Sequence, residues 1–266
     1  VVRAMVELFD ATVSFEAFCR RFESEEACIQ ALYASRWPDG FRCPRCEHDS
    51  AYVISGRKLP LYECRSCRYQ VSLIAGTVFE RTRTPLRLWF QAIYLHANPP
   101  GISALRLAEI IGVTYKTAWT ISHKLRHAMT AANADEQLQG RVRVNCDFYG
   151  YPFNHTRSRH PMEHPILAGC SVDDHDQIAH IALQQLPPHH LDQHTHNANR
   201  AGASAFVDRR VDSRDVVVTH GRRHLQRFRP LVALCGHMRN WINGVYHGIG
   251  AKHLQAYLEQ FAYRWN

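Results

Sequence analysis

The sequence lacks any run of apolar residues long enough to cross a membrane. A membrane-spanning helix needs about 20 consecutive, mainly apolar residues, and no stretch of the 266-residue chain approaches that length. It also lacks a charged segment followed by an apolar one, which is the pattern of a secretory signal peptide. These two absences predict a cytoplasmic protein with no membrane partner.

Acidic residues are also scarce, with 24 Asp and Glu against 32 Lys and Arg, so that the formal net charge is +8. The scarcity is greatest between residues 216 and 258, where the sequence contains no Asp or Glu. A basic protein of this kind favours polyanionic partners through phosphate contacts and the release of counterions. Apolar residues make up 45% of the chain, which is an ordinary globular composition with enough material for a sizeable core.

Four of the nine cysteines form two close pairs with the spacing C-x2-C-x17-C-x2-C. They are Cys43, Cys46, Cys64 and Cys67. Two such pairs can close a tetrahedral Zn²⁺ site, and a site filled by four cysteines is structural and not catalytic. The spacer alternates apolar and polar residues around Gly56, which predicts the two strands of a zinc ribbon.

The remaining patterns predict a mixture of helices and strands. Residues 13–36, 85–130, 230–245 and 251–265 have helical spacing, whereas 141–186 read as successive strands and 215–220 as one more. The acidic segment DDHDQ predicts a hairpin turn. Residues 187–203 are polar and rich in histidine without periodicity, so we expect a loop there in preference to a second metal site built from His189, His190, His194 and His196.

Residues 101–129 have the pattern of a helix-turn-helix. Ser103 can cap a first helix, Gly112 can form the turn, and Thr114 can cap a second helix. The start of the second helix is the part that meets base edges when such a helix enters the major groove of double-stranded DNA. The predicted DNA-binding residues are Thr114, Tyr115, Lys116, Thr117, Thr120, Lys124 and Arg126.

These motifs together resemble the ISXO-type bacterial insertion-sequence transposases. The resemblance rests on FRCPRC, LYECRSCRYQVSLIAGTVFERTRTPLRLWFQAIYLHAN and GISALRLAEIIGVTYKTAW in the first half, and on NGVYHGIGAKHLQAYLEQFAYRWN at the end. It implies a multidomain α+β protein with a zinc ribbon, a helix-turn-helix and an RNase-H-like α/β domain that is possibly degenerate. It divides the chain into an N-terminal helical segment (1–40), the ribbon (41–78), the helix-turn-helix region (79–135) and the transposase domain (140–266).

Members of that family bind two Mg²⁺ ions through three acidic side chains, and the ions activate the attacking oxygen and stabilise the leaving one. Aligned on the family's patterns, the three acid positions fall on Asn145, His220 and Val232. Asn is a weaker Mg²⁺ ligand than a carboxylate, His suits softer metals, and Val offers no ligand atom. Asp147 is the possible substitute for the first acid, and Asp212 or Asp215 for the second.

The sequence therefore predicts a DNA-binding protein of the transposase family that is impaired in two-metal strand transfer. Its implied partners are double-stranded DNA, transposon ends among it, and a second copy of the chain in a homo-oligomer. Its cofactor is structural Zn²⁺, with Mg²⁺ only if the catalytic site works. Two alternatives stay open: an active DDE-type transposase with relocated acids, and a zinc-ribbon module for protein interactions.

Overall fold

A computed structural model describes residues 13–150, 163–219 and 226–266. The chain divides into two compact units, with the boundary between Leu125 and Arg126. Each unit contains both helices and β-strands, so the predicted multidomain α+β class is confirmed. Within the described residues, no helix is long and apolar enough to cross a membrane.

The first unit begins with two helices, α1 (Phe15–Arg21) and α2 (Glu25–Arg36). The single helical segment predicted over residues 13–36 is therefore wrong around residues 22–24. The Ser24 side chain accepts a hydrogen bond from the backbone N–H of Ala27 at 3.1 Å. A cap of this kind starts a new helix because it satisfies a donor that the first turn leaves without an intrahelical partner.

A small antiparallel sheet and three further helices complete the first unit. The strands β1 (Ala51–Ile54), β2 (Leu61–Cys64) and β3 (Gln70–Ser72) pair in that order. The helices are α3 (Leu86–Ala97), α4 (Ala104–Ile111) and α5 (Tyr115–Ala134), and the boundary between the units falls inside α5. One buried apolar cluster joins these elements, and its aromatic members include Phe18, Phe22, Phe79, Trp89 and Phe90.

The second unit is built on a four-stranded mixed sheet. Its strands are β4 (Arg141–Tyr149), β5 (His164–Val172), β6 (Ile178–Gln185) and β7 (Asp215–Val218), in the spatial order β6-β5-β4-β7. Strands β4, β5 and β6 are antiparallel neighbours, whereas β7 runs parallel to β4. The predicted hairpin between β5 and β6 is confirmed, because the N–H of Asp173 donates to the carbonyl of Gln177 at 2.9 Å.

Helices cover this sheet on both faces. One apolar cluster joins β5 and β6 to α7 (Arg229–Tyr246) and α8 (Ala251–Trp265). A second cluster joins β4, β5 and β6 to α6 (Arg200–Arg210) through Phe206. The sheet is therefore a buried layer, which explains why eight of the nine residues of β5 are buried.

Helix α6 was not predicted from the sequence. Asn199 caps it by accepting the N–H of Gly202 at 2.8 Å. Its segment RAGASAFVDRR has one large aromatic residue and little apolar periodicity, so the pattern gave no helical signal. Gly202 also permits a close approach, since a Cβ there would lie 2.7 Å from the Cβ of His190. The histidine-rich segment thus packs against α6 through a short 3-10 turn, Pro188–His190.

Candidate metal centre and nucleic-acid interface

The four cysteines predicted to bind zinc come together at one point in the first unit. The Sγ atoms of Cys43, Cys46, Cys64 and Cys67 all lie within 4.8 Å of one another. The distance between Sγ atoms is 3.6 Å from Cys43 to Cys67 and also 3.6 Å from Cys46 to Cys64. Zn–S bonds of about 2.3 Å in a tetrahedron place sulfur atoms about 3.8 Å apart. The spacing of the thiols therefore fits a Zn²⁺ ion with four cysteine ligands.

The two cysteine pairs have the same backbone geometry. The N–H of Glu47 donates to the carbonyl of Cys43 at 2.9 Å, and that of Arg68 donates to the carbonyl of Cys64 at 3.1 Å. Glu47 and Arg68 each have a left-handed backbone, with φ of 60° and 58°. Non-glycine residues adopt this conformation only where the surroundings fix it. Each C-x2-C pair therefore forms a turn that holds its two sulfur atoms on one side.

The electrostatic surroundings favour the thiolate at Cys43 and Cys64 but not at Cys46. The N–H of His48 lowers the pKa of Cys46, but the neighbouring thiols and burial outweigh it and raise that pKa to about 12. Burial raises the pKa of Cys43, but the N–H groups of Arg45 and Cys46 together with neighbouring thiols outweigh it and lower that pKa to about 7. The pKa of Cys64 is lowered in the same way, with burial opposed by the N–H groups of Cys67 and Ser66. Because the thiolate is the form that binds zinc, these donors prepare the site for its ion.

Among residues 13–150, 163–219 and 226–266, these cysteines form the one group of three or more His, Cys, Asp or Glu side chains that could hold a metal ion. The histidine-rich segment does not form such a group within that part of the chain. His189 and His190 instead stack edge to face, with ring centroids 4.4 Å apart.

The helix-turn-helix geometry predicted from the sequence is present in the first unit. Ser103 caps α4 by accepting the N–H of Arg106 at 3.3 Å. Gly112 ends α4 with a left-handed backbone (φ 68°, ψ 41°). Thr114 then caps α5 by accepting the N–H of Thr117 at 3.2 Å. Buried side chains from both helices belong to one apolar cluster, among them Leu107, Ile111, Ala118, Ile121 and Leu125.

The residues predicted to bind DNA differ in how much of each side chain is available. Thr114, Tyr115, Lys116 and Thr120 are exposed, and Thr117 is half-buried. The Thr120 hydroxyl donates to the carbonyl of Lys116 at 2.8 Å, inside the helix. Lys124 is half-buried, and its Nζ donates to the carbonyl of Glu80 at 2.7 Å. Of the three basic residues of α5 that were predicted to contact DNA, Lys116 is therefore the one whose side chain is exposed.

The prediction for Arg126 is wrong. Its side chain is only 2% exposed, so it cannot extend a basic stripe towards phosphate groups. The guanidinium instead lies 4.0 Å from the ring centre of Tyr257, and its Nε donates to Gln260 at 2.8 Å. The helical pattern showed a basic residue near the end of the helix, but the aromatic partners come from a distant segment that the local sequence does not reveal.

Two exposed residues of α5, Trp119 and His123, were missed. Trp119 is 37% exposed, and His123 is exposed one turn further along the helix. Tyr115, which was predicted, is 56% exposed one turn before Trp119. The rings of Trp119 and His123 stack with centroids 5.0 Å apart and planes 8° apart. The spacing of four residues between Tyr115, Trp119 and His123 was the signal that could have identified this stripe, since such residues share one helical face.

Strand β4 carries Asn145, which the sequence patterns matched to the family's first acid. Asn145 is 1% exposed, and its Oδ1 accepts a hydrogen bond from the Thr219 hydroxyl at 2.6 Å. The N–H of Thr219 also donates to the carbonyl of Val144 at 2.9 Å, directly after β7. The end of β7 therefore meets β4 at Asn145, next to the residue matched to the second acid. That residue, His220, lies outside the described residues.

Asp147 lies two residues further along β4, on the same face of the strand. It is 1% exposed, and its Oδ1 lies 3.1 Å from Nη1 of Arg239 on α7. The same Oδ1 accepts the N–H of Phe148 at 2.8 Å. Arg239 is itself held in place, because Nη1 also donates to the carbonyl of Phe148 at 2.9 Å. Asp147, the substitute acid named from the sequence, is therefore engaged by Arg239, whose side chain is 16% exposed.

The other carboxylates bonded to β4 within the described residues are those of Asp174 and Asp176, which contact the side chains of Arg141 and Arg143 at the start of the strand. Arg143 also donates to the carbonyl of Arg227, just before α7, at 2.7 Å, and Arg239 of α7 donates to the carbonyl of Phe148. Val232 lies between these two contacts in the sequence. In the parallel pairing of β7 with β4, Asp215 lies opposite Arg141, at the start of β7. It is thus four residues, about 13 Å, from the Thr219 end of the strand. Asp212 comes even earlier in the chain than Asp215. Neither aspartate therefore suits the role of the second acid.

Glu259 is the first acid after residue 216, and it also lies away from β4. It belongs to α8, which packs against β6 at the opposite edge of the sheet. It is 2% exposed and forms an ion pair with Arg210. Asn133 donates to its Oε2 and to its backbone carbonyl, at 2.8 Å each. Its surroundings identify it as a structural anchor of the second unit.

Comparisons with known proteins agree with these two units. Residues 23–70 match a family model described as a transposase zinc-ribbon domain, and residues 206–266 match one described as an ISXO2-like transposase domain. An uncharacterized protein in transposable element ISH50 of Halobacterium salinarum is 31% identical over 131 residues. That alignment covers 49% of this chain and 43% of the relative, so it spans less than half of either protein. No solved structure matches the chain.

The four-cysteine ribbon and the C-terminal α/β unit each match a domain model of transposases. More particularly, the chain is similar to the ISXO-type insertion-sequence transposases, and the resemblance seen in its sequence is confirmed at both ends. The zinc-ribbon match and the cysteine geometry together support a structural zinc ion.

Proposed function

We propose that this chain binds double-stranded DNA, with transposon ends as the expected target, and that it has lost the two-metal chemistry of strand transfer. The observation that carries the proposal is the ion pair between Asp147 and Arg239 on the strand where the family places its first acid. A protein of this kind would occupy DNA ends without cutting them, competing with an active relative or serving as a regulator.

The support for DNA binding comes from the first unit and from charge. Helix α5 begins with exposed side chains after a turn at Gly112, as the second helix of a helix-turn-helix does when it enters the major groove. The net charge of +8 favours a polyanion. Several arginines of the zinc ribbon are exposed and add positive charge to the same unit, namely Arg42, Arg45, Arg57, Arg65 and Arg68.

The support for lost chemistry comes from the ligands that Mg²⁺ requires. A Mg²⁺ ion is held by carboxylates, waters and substrate phosphates in near-octahedral geometry. Asn145 offers a neutral oxygen that already accepts the Thr219 hydroxyl, and Val232 offers none. The buried charge of Asp147 is met by the guanidinium of Arg239, so a second cation at the same oxygens would face repulsion from that group.

Calorimetric titration of the zinc-loaded protein with Mn²⁺ tests the loss of chemistry. We expect no Mn²⁺ binding that depends on Asp147, with or without DNA. Asp147→Asn is the informative variant, and Asp174→Asn, which alters a fully exposed carboxylate of the same unit, is its matched control. Binding of one or two Mn²⁺ ions that Asp147→Asn abolishes and Asp174→Asn retains would restore the interpretation as an active transposase.

Duplex binding at several salt concentrations tests the other half of the proposal. The logarithm of the binding constant should fall steeply and linearly with the logarithm of the salt concentration, since phosphate contacts release counterions. Weak binding with a shallow slope would instead favour a zinc-ribbon module for protein interactions. Light scattering on the same samples tests the homo-oligomer, which we expect when two DNA ends are held together.

A further inference from the structure

We propose that the aromatic stripe on α5, formed by Tyr115, Trp119 and His123, recognises thymine methyl groups in the major groove of double-stranded DNA. This inference rests on the proposed function, because it names the base feature that the same helix would read. It differs from the sequence-based expectation, in which Tyr115 made contacts together with the threonines and basic residues of α5, and Trp119 and His123 had no part.

The stripe has a defined shape on the helix surface. Residues four apart lie above one another on the same face, and all three rings are exposed there. Trp119 and His123 stack with planes only 8° apart, so the two rings hold each other in place and present their edges to the solvent. Rigid aromatic rings lose little conformational entropy when they make a contact, which suits a surface used for recognition.

The polar groups on the same part of the helix are already engaged. The Thr117 hydroxyl lies 3.0 Å from that of Thr114, in the cap. The Thr120 hydroxyl donates to the carbonyl of Lys116. The Thr120 hydroxyl could therefore donate to a base only by giving up its bond to Lys116, although its oxygen can still accept. The rings of Tyr115, Trp119 and His123 make up the rest of this exposed face, and the carbon edges of these rings can make apolar contacts.

The major groove offers one apolar feature for such a surface. Among the base edges displayed there, thymine presents a C5-methyl group, whereas the other features are hydrogen-bond donors and acceptors. Burying one methyl group contributes about 0.8 kcal/mol, or about a fourfold gain in affinity.

Charge decides between duplex DNA and an apolar protein partner. Lys116 lies beside the stripe and is exposed, and the chain has a net charge of +8, so a polyanion is favoured over a neutral surface.

The experiment begins with duplexes enriched from a random-sequence pool by the wild-type protein. Each enriched duplex is then made again with deoxyuridine in place of thymidine, one position at a time, which removes the methyl group and leaves the base-pairing edge unchanged. We expect binding to weaken by about fourfold at each thymine that the stripe contacts. The Trp119→Ala variant should bind the thymine and uracil forms of those positions equally.

Trp265→Ala is the matched control, because Trp265 has a similar exposure of 42% and lies in α8, outside the helix-turn-helix. It should keep the full thymine preference. Salt-sensitive duplex binding with no thymine preference, or a preference that survives in Trp119→Ala, would overturn this inference while leaving the proposed function intact. Tighter binding to the single strand than to its duplex would also overturn it, since stacking on unpaired bases would then explain the stripe. Absence of salt-sensitive DNA binding would remove the proposed function itself.

Discussion

Replacing Glu259 by glutamine would leave Arg210 as a buried cation without its carboxylate. The two side chains are 3% and 6% exposed, respectively, so water screens the charge poorly. Glu259 is also bonded to Asn133 and, at 3.0 Å, to Gln255. The carboxylate thus joins α8 to the end of α5 and to α6 within the second unit. Losing the carboxylate should therefore destabilise the packing of all three helices.

The expected size of the effect follows from the energetics of buried ion pairs. Removing one partner of such a pair costs about 3–5 kcal/mol, since the other charge stays buried. We take the lower end, about 3 kcal/mol, because glutamine keeps an oxygen that can accept a hydrogen bond from Arg210. For a unit of this size, 1 kcal/mol corresponds to about 3–4 °C in the unfolding midpoint, so Glu259→Gln should lower that midpoint by about 10 °C.

Thermal unfolding followed by calorimetry measures this change, and two further variants make it specific. Asp174→Asn removes the carboxylate of an exposed pair with Arg141 and should change the midpoint by less than about 3 °C. The double variant Arg210→Met with Glu259→Leu removes both charges, so it should be more stable than Glu259→Gln. A midpoint for Glu259→Gln within 3 °C of the wild-type value would refute the argument, as would a double variant no more stable than the single one.

Two further predictions concern the first unit. Removing zinc with a chelator, or changing Cys64 to serine, should unfold the ribbon around β1–β3, because a segment with so small a core depends on its metal. Limited proteolysis should then cut between residues 41 and 78, whereas the zinc-loaded wild-type ribbon should resist. Gly112→Ala should cost about 1 kcal/mol, since its φ is +68° and no atom crowds the added Cβ. Gly244→Ala, inside α7 and equally uncrowded, should stabilise the protein instead, and equal effects of the two changes would contradict this account of the turn.

The features that the sequence predicted well are those encoded by short local patterns. The cysteine spacing predicted the ribbon because two tight turns and four thiols lie within one short segment. The caps at Ser103 and Thr114 and the turn at Gly112 were predictable for the same reason, since each depends on neighbours within four residues. Alternating apolar residues likewise predicted β4, and the apolar segments that follow it up to residue 186 predicted β5 and β6.

The features that escaped prediction depend on partners distant in the sequence. Arg126 is buried because Tyr257 and Gln260 surround it. The sequence around residue 126 contains no pattern that predicts these partners. The partner of Asp147 is Arg239, which a search for missing acids would not select. Helix α6 was missed because its contact with the sheet is made through Phe206 and the small residue Gly202, so the usual apolar stripe is absent from its sequence.

On the proposed function, the pair between Asp147 and Arg239 also explains how β4 folds without a divalent cation. Clustered carboxylates repel one another unless a cation lies between them, so a two-metal strand is strained when its ions are absent. Asn145 and Val232 remove two of those charges, and Arg239 neutralises Asp147. The stability of the second unit is thereby separated from Mg²⁺, whereas the first unit stays coupled to zinc through its cysteines. On the same proposal, a chain with these properties keeps its first unit folded for DNA binding and its second unit folded without Mg²⁺.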